Sequence, residues 1–247
     1  MRYFIKLAFN GTHFYGWQIQ PRHKSVQEVL ETTLSTLLKE TIKIVGCGRT
    51  DSGVHAKEYY AHFDFVETLT ENDLQLLIYQ ANSILPQEIV IYDIFQVDAD
   101  LHARFDALSR TYRYYVTRQK EAFNFPFCYF IPQKLNIERM NEAAQLLLQT
   151  DDFTSFSKLH TQTNNNICKV SEAFWKEKGE LLIFTITADR FLRNMVRAIV
   201  GTLLEVGREQ ITIAEFQKII DSKNRCKAGY SVPAKALFLE KVRYPLF

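Results

Sequence analysis

Residues 1–38, MRYFIKLAFNGTHFYGWQIQPRHKSVQEVLETTLSTLL, change hydrophobic period once. Tyr3, Ile5, Leu7 and Phe9 recur at every second position, with Phe4, Lys6 and Ala8 between them, the spacing that lines one face of a strand. From Val26 the period lengthens. Val26, Val29, Leu30, Leu34, Leu37 and Leu38 fall at helical intervals, and Ser25 with Glu28 forms the S-x-x-E pattern of a capping box. Outward from there, residues 42–45 and 59–65 read as strands. Leu74, Leu77, Ile78 and Ala81 mark a second helix stopped by Pro86, and residues 89–97 read as a fourth strand. The order β-α-β-β-α-β is that of the ferredoxin-like fold, which RNA-recognition modules share.

The second half repeats the order without repeating the sequence. Residues 112–117 predict a strand, 137–148 a helix, and 169–176 with 181–187 a hairpin. Residues 191–206 predict a strong helix, 213–220 an extra one, and 237–242 a last strand. The expected fold class is α+β, with two ferredoxin-like halves over residues 1–103 and 104–247 whose antiparallel sheets meet at a central cleft. The stretch TQTNNNI, with Asn164–Asn166 as its low-complexity patch, reads as a loop.

Composition removes several classes. A chain of 247 residues with 47% hydrophobic and 23% charged residues is neither disordered nor a coiled coil. With 30 basic against 28 acidic residues it does not hold nucleic acid by bulk charge, yet residues 101–120 carry five cations and one carboxylate. Cys47, Cys128, Cys168 and Cys226 form no C-x-x-C pair, which argues against a zinc ribbon and a disulfide scaffold and for a reducing cytoplasm. The first residues lack a positively headed apolar core, and no run approaches the ~20 apolar residues of a membrane span. A cytoplasmic protein with no membrane attachment is expected.

The densest polar cluster is GCGRTDSGVHA, residues 46–56, between two predicted strands. Such a loop is ordinarily a glycine-rich turn with solvated charges. As a phosphate-binding loop it has Gly48 and Gly53 at G-x-x-x-x-G spacing, but Val54 and His55 stand where Lys and Ser/Thr are needed. As a dinucleotide fingerprint it needs a third Gly at Asp51, where a carboxylate would repel pyrophosphate. As an aspartic protease it has one Asp-Ser-Gly triplet and lacks the second carboxylate that shares the proton. What remains is Asp51 two residues from Arg49. A neighbouring guanidinium favours the ionised carboxylate, which suits a nucleophile or base.

GRTDSGVHA resembles the catalytic loop of the tRNA pseudouridine synthase A (TruA) family. NGTHFYGWQIQ, SVQEVLE, AHFDF, HARFDALSRTYRYY, DDFTSFS, FLRNMVRAIVGTLLEVG and VPAKALFLEKV resemble its other segments in the same order, over nearly the whole chain. The resemblance implies an α+β homodimer, its interface in the C-terminal half, that isomerises uridine to pseudouridine at positions 38 to 40 of the tRNA anticodon stem-loop, with no cofactor and no metal. Residue by residue it implies that Asp51 is the catalytic aspartate and Arg49 its neighbour in the loop. Tyr112 is then the active-site tyrosine, Arg197 an arginine paired with the aspartate, and Leu237 a hydrophobic contact to the target base. The chain departs from the family pattern at Tyr59, Tyr60, Ser157, the TQTNNNIC stretch and Ala236.

The residue types suit that chemistry. Uridine must lose its N1–C1′ bond, turn, and rejoin through C5. Asp51 can attack C1′ or remove a sugar proton, and Tyr112 can stack on uracil and mediate proton transfer. The base is reached by flipping it out of the stack. Arg104, Arg110, Arg113 and Arg193 are the candidate phosphate contacts. In the predicted 191–206 helix, Arg193, Arg197 and Gly201 share a face, and Gly201 one turn beyond Arg197 points to close packing there. The competing class is a non-catalytic RNA-binding module: YYAHFDF lies on the third strand, where such modules carry stacking aromatics, but it lacks the Gly and basic start of their signature.

Overall fold

A computed structural model describes residues 1–120, 122, 123, 125–158 and 165–245. The fold is mixed α/β. In chain order it forms β1 (Arg2–Phe9), α1 (Val26–Leu38), β2 (Val45–Gly46), β3 (His55–Asp64), α2 (Glu71–Ile84) and β4 (Ile89–Val97). Then come β5 (Ser109–Thr117), β6 (Tyr129–Phe130), α3 (Ile137–Gln145), β7 (Val170–Lys178) and β8 (Leu181–Ala188). The last elements are α4 (Met195–Gly207), α5 (Ile213–Asp221) and β9 (Leu237–Arg243). Two compact units result: residues 1–108 with 239–247, and residues 109–238.

In the first unit the strand order is β4-β1-β3-β9, with β2 also paired to β3. β1 lies antiparallel to both neighbours, Ile5 facing Ala61 on one side and Ile94 on the other. A central strand packed on both faces needs apolar residues at consecutive positions, and Tyr3, Phe4, Ile5 and Leu7 are all fully buried. Each such side chain contributes roughly 1.5–3 kcal/mol of transfer free energy. Ser25 caps α1 by accepting the Glu28 N–H at 3.2 Å, but the cap is one-sided. Reciprocal capping boxes form instead at Thr70/Asp73 on α2 and Thr212/Glu215 on α5. The strand expected over 42–45 shrinks to Val45–Gly46. The Ile42 and Ile44 N–H groups donate to Ser35 Oγ and Glu31 Oε1 of α1, at 2.9 and 3.0 Å, so a helix satisfies backbone that a strand would have paired.

In the second unit β8 lies between β5 and β7, antiparallel to both, and β6 runs parallel beside β5. The helix expected over 137–148 ends at Gln145 and tightens into a 3-10 turn, Leu146–Gln149. The helix expected from 191 begins at Met195. Asn194 stands before it at φ 66°, a left-handed conformation that an α-helix cannot contain, so Phe191–Arg193 are excluded from the helix. The TQTNNNI loop lies partly outside the described residues. No helix among the described residues is long and apolar enough to cross a membrane.

His62 on β3 is 3% exposed, and its Nδ1 accepts the Ala103 N–H at 3.1 Å. Burial, with the Arg2 and His102 charges adding, pulls its pKa down to about 4. Between the unfolded value near 6.5 and about 4, the unfolded chain therefore takes up a proton that the fold refuses, and stability falls as pH falls. By pH 4 the loss approaches about 3 kcal/mol. His62→Asn keeps an acceptor for Ala103 and removes the titration. Urea midpoints at pH 7 and pH 4.5 are expected to differ less in the variant than in the parent; equal pH dependence would exclude His62 as the source.

Candidate active site

In the first unit the 46–56 loop is fixed by the segment that follows β1. Gly53 has φ 78°, the conformation that the third position of a type II turn requires, and the Val54 N–H closes that turn on the Asp51 carbonyl at 3.2 Å. The Gly53 N–H and Ser52 Oγ both donate to the Phe14 carbonyl, each at 3.3 Å. The Trp17 N–H donates to the Thr50 carbonyl at 3.4 Å, while Gly16, at φ 84°, has no room for a Cβ, which would sit 2.2 Å from that same oxygen. The indole of Trp17 stacks on Tyr59 at 4.2 Å, and the Tyr59 hydroxyl donates to the Gly48 carbonyl. Tyr59 is thus a brace of the loop. So is His55: 1% exposed, it accepts the Gly11 N–H through Nδ1 at 3.0 Å. Nothing in the spacing around His55 marks that role.

These bonds hold Asp51 half-buried in a loop whose backbone is bonded on both sides of it, with Arg49 exposed two residues earlier. A backbone so constrained fixes where the Asp51 side chain begins, as a positioned nucleophile or base would require. Arg104, in the same unit, is exposed with its guanidinium 5.5 Å from the centroid of the exposed Phe105 ring.

In the second unit the alternation of β5 puts Tyr112 and the fully buried Tyr114 on one face, and Arg113 with Tyr115 on the other. Tyr112 is half-buried, and Phe191 meets it edge to face at 5.0 Å. Arg113 is exposed. Arg110 is only 9% exposed, and its Nη1 donates to the Asp189 carbonyl at 2.7 Å. Arg193 is exposed ahead of α4, so the expected row of Arg193, Arg197 and Gly201 reduces on the helix to its last two members.

Those two residues grip the segment 228–233. The Arg197 Nε donates to the Val232 carbonyl at 2.7 Å, and the Val232 N–H returns a bond to the Arg197 carbonyl at 3.2 Å. A Cβ on Gly201 would lie 1.8 Å from the Tyr230 carbonyl oxygen, the close packing that its position on the helix announced. Thr202 Oγ1 accepts the Gly229 N–H at 2.9 Å, the Tyr114 hydroxyl donates to the Pro233 carbonyl at 2.9 Å, and Arg225 bonds both the Gly229 carbonyl and Ser231 Oγ. A 3-10 turn, Ala234–Ala236, then delivers Leu237, 5% exposed, to the start of β9. Arg225 and residues 228–231 lie in no motif, and nothing in the sequence marks Thr202 as their partner. Their partners are set by the fold, so the sequence offered no signal for them. Gly201→Ala gains helix propensity but drives a methyl into backbone, and is expected to cost about 2–3 kcal/mol net, a fall of roughly 5–10 °C in Tm. Gly48→Ala, whose Cβ meets nothing within 4 Å, is expected to leave Tm within about 2 °C. Equal melting of the two variants would contradict the clamp. Among the described residues no cluster of His, Cys, Asp and Glu could hold a metal ion.

The profile of the tRNA pseudouridine synthase family matches residues 6–106 and 143–245. A tRNA pseudouridine synthase A of Parabacteroides distasonis is 53% identical over 244 residues, covering 99% of this chain and 96% of that one. The Bacteroides thetaiotaomicron protein of the same name is 54% identical over 247 residues, covering 99% and 91%. The Clostridium acetobutylicum one is 42% identical over 242 residues, covering 97% and 98%.

Proposed function

The chain belongs to the tRNA pseudouridine synthase A family, and from that premise we propose that it acts at positions 38 to 40 of the anticodon stem-loop with Asp51 as nucleophile or base. It is an isomerase that converts uridine in tRNA to pseudouridine. The observation that carries the role of Asp51 is the loop itself: one carboxylate, half-buried, on a turn bonded to Phe14 and Trp17 on either side. Attack on C1′ breaks the N1–C1′ bond and leaves an Asp51–C1′ ester that C5 displaces once the uracil has turned, or removal of a sugar proton expels the uracil to leave a glycal-type intermediate that takes the proton back as C5 adds to C1′; by either route the C5 proton then leaves and N1 is protonated.

Tyr112 stacks on the uracil and handles a proton, consistent with its half-buried ring held by Phe191. Arg49 and Arg197 orient the charge around the aspartate, and Leu237 packs against the base. Phosphate contacts fall to the exposed Arg104, Arg113 and Arg193, with Arg110 bracing β5 through Asp189. Residues 1–103 and 104–247 are read as two ferredoxin-like halves. β4-β1-β3-β2 in the first and β5-β8-β7 in the second, each with helices between the strands, support that reading. The enzyme works as a cytoplasmic homodimer without cofactor or metal. Mapping pseudouridine in tRNA from cells lacking the gene tests the target. Loss at positions 38 to 40 alone is expected, and unchanged modification there would refute the assignment.

A further inference from the structure

Residues 14–24, FYGWQIQPRHK, brace the catalytic loop with their first residues and leave the rest of their surface to solvent. Tyr15, 49% exposed, lies against His23 with ring centroids 4.1 Å apart and planes 23° apart, so the two rings form one flat stack at the surface. The arrangement is built. The Tyr15 N–H donates to the Lys24 carbonyl at 3.0 Å, Gln20 Nε2 donates to the Tyr15 carbonyl at 2.8 Å, and Arg22 adopts φ 64° to turn the chain back. Arg22, His23 and Lys24 line one side of an open groove of about 480 Å³ whose other wall is α1. Glu28 is the one carboxylate on it, beside Thr32 and Thr33. Phe14, one residue before Tyr15, is the acceptor for both Ser52 and Gly53 of the turn that begins at Asp51.

We propose that this loop is a second RNA-binding site, where the Tyr15–His23 stack receives an unpaired base of the strand flanking the target uridine and Arg22 and Lys24 take its phosphates. A flat aromatic surface whose His23 is flanked in the chain by the exposed Arg22 and Lys24, the latter with its ammonium 5.5 Å from the centroid of the Phe14 ring, fits single-stranded nucleic acid, because every base has a π-face and every linkage a charge. A protein partner would bury a larger apolar patch than two stacked rings supply. Bases near the target are unpaired when the target is flipped out of a stem, which supplies the strand this site needs. The proposal rests on the reading of Asp51 as the centre acting on tRNA, and its test is arranged to separate the two.

The Asp51→Asn protein holds tRNA without turnover, so affinity is measured in that background across a salt series. Adding Tyr15→Ala is expected to weaken binding roughly ten-fold, and Tyr15→Phe to keep most of the affinity. Adding Arg22→Ala with Lys24→Ala is expected to flatten the slope of log K against log salt by about 1.4–1.8, two phosphate contacts. In the active enzyme Tyr15→Ala should raise KM for tRNA more than it lowers kcat. Side-chain truncation leaves the backbone bonds of the loop in place; should Tyr15→Ala nevertheless melt early, the arginine–lysine pair decides. Affinity within two-fold of the parent and an unchanged salt slope in that pair would overturn the proposal. A wild-type protein that binds tRNA and releases no C5 hydrogen would instead overturn the catalytic reading, while the affinity series still tests the loop.

Discussion

Asp51→Asn is expected to abolish pseudouridine formation, by at least about 10³-fold, while tRNA affinity stays within a few-fold and Tm within about 2 °C. Asparagine matches aspartate in size, and the bonds that shape the loop there do not use the Asp51 side chain: the Val54 N–H donates to the Asp51 carbonyl, the Trp17 N–H to the Thr50 carbonyl, and the Gly53 N–H and Ser52 Oγ to the Phe14 carbonyl. What the substitution removes is the carboxylate charge of the proposed nucleophile or base. Nucleoside analysis of tRNA after incubation with the variant reads the outcome, and appreciable isomerisation would end the assignment of Asp51.

Tyr112→Phe separates stacking from proton transfer. The ring remains on β5 against Phe191, so the proposed platform for uracil persists, and tRNA affinity is expected to be nearly normal. Loss of the hydroxyl is expected to lower kcat by about 10²–10⁴-fold, the range for a positioned acid or base. Single-turnover rates at saturating tRNA measure this directly. Full activity in the Phe variant would confine Tyr112 to stacking.

Strands and helices with a strong period were legible: Ile89–Val97 forms the strand its alternation predicts, and Ile213–Asp221 the helix. The misreadings share a cause. Ile42 and Ile44 are buried as strand residues would be, yet their N–H groups are taken by side chains of α1 that hydrophobic pattern cannot register. The FLRN segment has helical composition, but a left-handed Asn194, whose Nδ2 donates to Ser231 Oγ at 2.5 Å, delays the helix to Met195. At the candidate site Asp51 stood out as a carboxylate among glycines and beside arginine. The bracing roles of His55, Tyr59 and Trp17, which hold that loop, were not legible, because each needs a partner in a distant segment that the sequence does not name.

Release of tritium from tRNA labelled at C5 of uridine tests the central claim most directly, because rejoining the base through C5 must expel that hydrogen. The wild-type protein is expected to release label to water in step with pseudouridine formed, and the Asp51→Asn variant to release none. Binding of the labelled tRNA by the wild-type protein with no label released would contradict the account.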